Sequence, residues 1–337
     1  MNAVGSIEEA FTFAGLLALA LGKPLIDKLR SSSTQQTAYE DAPQSHQSKT
    51  GTPTMGGLLF GIAPIVGVAL APSRATAALA VLVYACMAIG AVDDLAAIRK
   101  QKNRGLRALP KFALTGVAAL AFLAVAGEQP PVLLGIGPVP VWLWYALSVC
   151  VILATTHAVN LTDGLDGLAG GTILPPLAVV AAVAWRIGAA PVTIFEVAMM
   201  GAVCGFLIYN RHPARVFMGD TGSLALGAAL AGGAILTGTH LWLLLIGGVF
   251  AAETLSVIVQ VASYKTTRRR VFRMSPLHHH FELGDVAFVG RDDGGDAAAQ
   301  DVDGRATAAP EADDQDVIGA VEATAGERVH AVLAIRA

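Results

Sequence analysis

Asn160-Leu-Thr-Asp163-Gly-Leu-Asp166-Gly-Leu-Ala-Gly-Gly171 lies between two long apolar runs, residues 141–159 and 172–187. It offers one amide and two carboxylates among glycines at 164, 167, 170 and 171. A glycine inside a helix or strand costs about 1 kcal/mol relative to alanine, so this stretch interrupts regular structure. Glycine-rich turns also let backbone N–H groups approach a ligand closely, as phosphates require. The plainer reading is a loop between membrane helices whose Asp and Asn residues cap helix ends. The stretch alone does not separate the two; the rest of the chain does.

Of the 337 residues, 54% are hydrophobic and only 15% charged, with a mean hydropathy of +0.58. A soluble domain carries nearer a quarter charged residues. Apolar runs long enough to cross a bilayer recur along the chain, so the expected class is an all-α, polytopic transmembrane helical bundle. Charge is unevenly placed. From Gly284 onward there are twelve Asp/Glu and four Lys/Arg, whereas the chain before it is net positive. That divides the chain into a transmembrane domain over 1–283 and an acidic Gly/Ala/Asp-rich tail over 284–337, which reads as disordered and cytoplasmic. No basic arm or aromatic-interleaved basic patch points to nucleic acid. Cys86, Cys150 and Cys204 each sit in an apolar run without zinc-type spacing. The first apolar run follows Glu8 and Glu9 rather than a basic region, and reads as a retained helix rather than a signal peptide.

Nine spans are expected: 10–29, 56–71, 75–92, 112–127, 141–159, 172–187, 194–209, 223–238 and 241–263. Lysine and arginine check this segmentation independently. Seventeen fall in alternate loops on one side, and only Arg74 and Arg186 on the other. The positive-inside rule then places the rich side in the cytoplasm and the N-terminus outside. The same alternation puts five polar segments on the cytoplasmic side. They are Ser45–Gly57, Asp93-Asp94, the opening stretch, Phe217-Met-Gly-Asp220-Thr-Gly-Ser223 and Met274–Leu283.

Asp93, Asp94, Asp163, Asp166 and Asp220 are carboxylates at the ends of apolar helices, where such charge is unfavourable without compensating cations. An oxygen-only ligand set points to a hard cation, Mg2+ foremost, which bridges one or two carboxylates and substrate phosphates. Asp220 precedes a helix start marked by Thr221 and Ser223. Such a start favours phosphate through its free N–H groups and dipole, although an N-cap box explains the same residues. Lys49 and Lys111 either neutralise phosphates or simply follow the positive-inside rule. His278-His279-His280 cannot all face one ion from a regular helix, because successive side chains turn by about 100°. Hydrogen bonding to an anionic substrate, near Arg268–Arg270 and Arg273, suits them better.

Together these segments resemble the phospho-N-acetylmuramoyl-pentapeptide transferase family. Lys49-Thr-Gly-Thr-Pro-Thr-Met-Gly-Gly57, Asp93-Asp94, Asn160–Gly167, Asn210–Ser223 and Pro276–Glu282 follow the family's order and spacing, from about residue 10 to Leu283. The resemblance implies a bacterial inner-membrane enzyme with its site facing the cytoplasm. Undecaprenyl phosphate would attack the sugar-linked phosphate of UDP-N-acetylmuramoyl-pentapeptide, giving lipid I and UMP with Mg2+. Asp220 would hold the metal, and Asp93 and Asp94 would handle the polyprenyl phosphate. Lys49, Thr52, Asn160, Asp163, Gly164, Asp166, Asn210 and Phe217 would line the uridine and diphosphate region. Lys111, His278, His279 and His280 would meet phosphates or the sugar-peptide, with His279 among the catalytic set. Membrane lipid and a homodimer are the further partners compatible with it. Phosphoryl transfer needs positioning and charge neutralisation more than covalent help. A phosphate monoester is already mostly dianionic at neutral pH, so an orienting or metal-linked role for Asp93 or Asp94 competes with general-base catalysis. Two departures stand out. Ala97 occupies a place where many members have Lys, and the family has ten spans where this chain offers nine. The alternatives are transfer from another UDP-sugar and, more distantly, membrane transport.

Overall fold

The computed structural model describes residues 3–31, 51–100 and 105–282. The chain packs as two compact units, Met1–Ala251 and Ala252–Ala337. Lys49 and the tail from 284 onward lie outside the described residues.

In the first unit the helices are α1 (Ala3–Ser31), α2 (Ile62–Leu70), α3 (Arg74–Lys100), α4 (Ala108–Ala126), α5 (Val141–Thr162), α6 (Leu168–Arg186), α7 (Ala190–Asn210), α8 (Gly219–Leu236) and α9 (Leu243–Ile246). A 3-10 segment, Gly56–Gly61, leads into α2, and another, His240–Trp242, into α9. Two short strands, β1 (Val132–Leu133) and β2 (Gly137–Pro138), pair antiparallel in the α4–α5 connection. α10 (Gly248–Thr267) carries the chain into the second unit. Among the described residues seven helices are long and apolar enough to cross a bilayer, and the pair His240–Ile246 with Gly248–Thr267, bent by 86°, makes an eighth if counted as one span. The all-α polytopic architecture is therefore as the composition requires.

Two of the nine expected spans differ in form. The span expected over 56–71 is a 3-10 segment followed by a nine-residue helix. At about 2.0 Å per 3-10 residue and 1.5 Å per α residue it extends roughly 25 Å, short of a hydrocarbon core of about 30 Å. It still carries the chain from one end of the bundle to the other. Gly56 and Gly57 bond to Phe217 and Met218 at the end where Asp94 meets Asp220, while Arg74 begins α3 at the far end. The span expected over 241–263 is the bent pair, broken at Gly247.

α8 is the hub of the first unit. It is buried over nearly its whole length and contacts α3, α5, α6 and α7. Its Gly/Ala composition explains this, because small side chains let helix backbones approach closely where no hydrophobic gain drives association in lipid. Gly57 meets the backbone of Gly222, Gly227 meets Thr156 on α5, and Gly233 leaves room for the buried Glu196 side chain of α7. On the other flank α1 lies along α7, with Gly15 and Leu19 against Gly205, and Phe11 against Gly201. α1 turns Phe11, Phe13, Leu16, Leu17 and Leu21 outward, as lipid-facing residues should be.

The closeness of these contacts sets an expected mutational contrast. A methyl at Gly90 would run into the Asp220 carbonyl, and one at Gly205 into the Gly15 carbonyl, whereas Gly116 and Gly171 face open space. Gly90→Ala and Gly205→Ala should each lower stability by about 1–3 kcal/mol through overpacking. Gly116→Ala and Gly171→Ala should leave it within about 0.5 kcal/mol or raise it. Thermal unfolding of the four variants in one detergent measures the contrast.

Candidate active site

Four of the five polar segments converge at one end of the first unit. Lys111, in the first turn of α4, points its ammonium between two carboxylates. It lies 2.9 Å from Asp93 Oδ1 on α3 and is hydrogen-bonded to Asp220 Oδ2 at the start of α8. Asn160, at the end of α5, donates to the other Asp220 oxygen at 2.6 Å and to Ser223 Oγ at 2.9 Å. Asp93 is held in turn by the backbone N–H of Leu106 at 2.8 Å. Lys111 and Asp93 are buried and Asp220 is half-buried.

Asp94 does something the sequence did not disclose. Its Oδ1 accepts from the Asp220 N–H at 3.1 Å, and its Oδ2 accepts from the Thr221 N–H at 3.0 Å and the Thr221 hydroxyl at 2.6 Å. A carboxylate from α3 thus caps α8 across the bundle, where it also meets the positive end of the helix dipole. The expected free helix start, open to phosphate, is corrected here, since Asp94 already takes two of its N–H groups. The N-cap reading also changes. Ser223 Oγ donates back to the Gly219 carbonyl instead of capping forward. Gly219 makes the cap possible, with φ of +72° and no space for a Cβ, which would meet the Asp94 carboxylate and Thr54 Oγ1.

Asp163 ends α5, half-buried. Burial, with the neighbouring charges of Asp220 and Asp94, pushes its carboxyl well above the usual carboxylate range. Among the described residues no donor reaches its side chain. Of the four carboxylates gathered here, Asp93 and Asp220 pair with the Lys111 ammonium, Asp94 is engaged on α8, and Asp163 has no donor among the described residues.

The remaining predicted residues frame this centre. Phe217 N–H donates to the Pro53 carbonyl at 2.8 Å, Gly56 N–H to the Phe217 carbonyl at 2.8 Å, and Gly57 N–H to the Met218 carbonyl at 3.0 Å. These bonds tie the segment containing Thr52, itself half-buried, to the loop before α8. Asn210 donates to the Val216 carbonyl at 2.9 Å and accepts from Gly167 N–H at 3.0 Å, so it joins that loop to the opening stretch. Asp166 accepts from Ala214 N–H and His212 Nδ1, both at 3.1 Å. It therefore faces the 211–217 loop. Gly164 lies in the turn after α5, its N–H bonded to the Thr162 carbonyl.

The three histidines belong to the second unit and take three different partners. His278 meets Glu253, its N–H donating at 3.2 Å. His279 Nδ1 lies 3.1 Å from Glu282, and His280 Nδ1 accepts from Arg273 N–H at 3.1 Å. Glu253 and Gln260, which organise this unit, were not singled out from sequence. Their spacing of seven on an apolar helix was the available signal.

Residues 76–238, which contain every element of the carboxylate centre, match the family model described as Glycosyl transferase family 4. The phospho-N-acetylmuramoyl-pentapeptide-transferase of Heliobacterium modesticaldum is 47% identical over 289 residues, covering 82% of this chain and 88% of that protein. The transferase of the same name from Moorella thermoacetica is 47% identical, covering 82% and 90%, and that of Geobacillus kaustophilus 43%, also covering 82% and 90%. With such identity across nearly the whole of those relatives, and the polar segments gathered at one end of a membrane bundle, this chain belongs to the phospho-N-acetylmuramoyl-pentapeptide-transferase family.

Proposed function

We propose that the chain transfers phospho-N-acetylmuramoyl-pentapeptide from its UDP carrier to undecaprenyl phosphate at the cytoplasmic face of a bacterial inner membrane. An oxygen of the lipid phosphate bonds to the sugar-linked phosphorus, the bond from that phosphorus to the bridging oxygen breaks, and UMP leaves with that oxygen. The products are UMP and lipid I. The observation that carries this reading is Lys111 held between Asp93 and Asp220 at the helix ends. An ammonium fixed there can neutralise a diphosphate without moving, as phosphoryl transfer requires.

The donor set fits Mg2+. Asp163 offers a carboxylate that no described donor satisfies, close enough to Asp220 and Asp94 for their charges to disfavour its ionisation. Among the described residues no group of three or more His, Cys, Asp or Glu side chains is arranged to hold an ion. Mg2+ keeps water and phosphate ligands and needs only one or two carboxylates from the protein. Asp220 and Asp163 would hold it, and when bound it would supply charge neutralisation to the diphosphate. Asp94, with both oxygens engaged on α8, serves as a positioning group that sets where Asp220 points. Asp93 orients Lys111. Neither role needs a general base, because the attacking phosphate is already dianionic.

UMP release from UDP-N-acetylmuramoyl-pentapeptide and undecaprenyl phosphate, with and without Mg2+, tests the assignment directly. Preferential release from a different UDP-sugar would move the chain to another transferase specificity. Asp220→Asn should lower turnover by at least about 100-fold and abolish its Mg2+ response; near-normal turnover would remove Asp220 as metal ligand. Two neighbours should separate structure from chemistry. Asp94→Ala should cost about 1–2 kcal/mol of stability through the lost cap and lower activity. Asp163→Asn should leave the metal-free melting temperature unchanged or higher while weakening the Mg2+ response. Thermal melts and Mg2+ titrations on the same preparations read both.

A further inference from the structure

Lys111 and Asn160 each donate to a different oxygen of Asp220. They belong to α4 and α5, whose covalent connection, residues 127–140, lies at the opposite end of the bundle from the carboxylate centre. α4 lies along α3, and α5 along α8. Between the later half of α4 and the earlier half of α5 runs an apolar groove of about 500 Å3, lined by Leu120, Leu123, Ala124, Tyr145, Ala146 and Val149. The seam between the two helices closes at the site end. There the rings of Phe112 and His157 stack, with 3.9 Å between centroids and 11° between planes. Phe112 directly follows Lys111. His157 lies three residues before Asn160, so the two side chains are neighbours on one face of α5. Both rings are half-buried.

Two flat rings in parallel contact resist relative shift and rotation of the helices that carry them. A displacement of α4 against α5 would carry the Lys111 ammonium and the Asn160 amide in different directions. The Asn160 bond to Asp220 is 2.6 Å long, and a shift of about 1 Å would end it as a hydrogen bond. We infer that Phe112 and His157 are a positioning pair, whose stack fixes α4 against α5 so that Lys111 and Asn160 reach the two Asp220 oxygens together. His157 acts here through its ring face, without moving a proton. The consequence for turnover rests on the phosphoryl transfer proposed above, in which an ammonium set in place beforehand neutralises the diphosphate. An aromatic contact that served packing alone would contribute to stability and leave the turnover of the folded enzyme unchanged.

Steady-state UMP release by the full chain, expressed per folded molecule, tests the pair. His157→Ala and Phe112→Ala should each lower kcat about tenfold or more through misplacement of the donors. KM for the UDP-linked substrate should change by less than about threefold. The double variant should be no slower than the slower single one, because a contact made by two residues is lost only once. His157→Phe keeps a stacking ring without the imidazole nitrogens and should bring kcat back to within about threefold of the wild type. Phe112→Leu, which keeps apolar bulk without a ring, serves if an alanine variant does not fold. Wild-type kcat in the ringless variants, or losses that add in the double variant, would overturn the inference. So would a His157→Phe variant as slow as His157→Ala, which would assign the effect to the imidazole nitrogens. Thermal unfolding without substrate gives a reading independent of the reaction. Lys111→Met should shift the melting temperature less in the His157→Ala background than in the wild type, by at least about 2 °C. Additive shifts would overturn the positioning role, whereas coupled shifts in a chain that releases no UMP would overturn the proposed transfer alone.

Discussion

Lys111 holds carboxylates from α3 and α8 against one ammonium, with Asn160 of α5 on the far side of Asp220. Four helices therefore meet at a single charge arrangement. Gathering Asp93, Asp94, Asp163 and Asp220 at the end of an apolar bundle costs free energy in low dielectric. Lys111 offsets part of it, and the cap made by Asp94 on α8 offsets more. What is left among the described residues is Asp163, a carboxyl that no donor satisfies beside Asp220 and Asp94. A fold that only needed to be stable would gain by replacing such a cluster with apolar side chains. Its retention belongs with the chemistry proposed for the site.

The arrangement depends on how closely the helices approach. Gly90 lets α3 lie on the start of α8, and Gly57 with Gly222 lets the 3-10 segment lie against it. A side chain at any of these positions would separate the backbones whose side chains converge a turn away. Packing and site geometry are thus one constraint in this protein. The glycines of Asp220-Thr-Gly and of the 56–57 pair act largely through the room they leave, and Gly219 also through its positive φ.

Much of this was legible in the residues. Apolar runs with few charges require helices that satisfy their own backbone, so the all-α class followed directly. The one-sided placement of Lys and Arg and the shared side of the polar segments depend only on chain order, and the clustering of Asp93, Asp94, Asp163 and Asp220 is consistent with them. Less was legible where partners are far apart in sequence. Asp94 lies 126 residues before the N–H it caps, and nothing local distinguishes a capping carboxylate from one that faces solvent. Asp166 reads like Asp163 from sequence, yet one accepts from the 211–217 loop while the other has no described donor. The short second crossing and the break at Gly247 were also out of reach, because hydropathy measures apolar length and is blind to helix type and bend.

The sequence by itself determined that this chain is a membrane bundle with its acidic and glycine-rich segments on one side. Those properties follow from composition and from charge order, both additive along the chain. Only the tertiary structure decided which carboxylate is neutralised, which caps a helix and which has no donor among the described residues. Those differences depend on distances of about 3 Å between residues more than a hundred positions apart, such as Asp94 and Asp220, and one turn of any helix would reassign them.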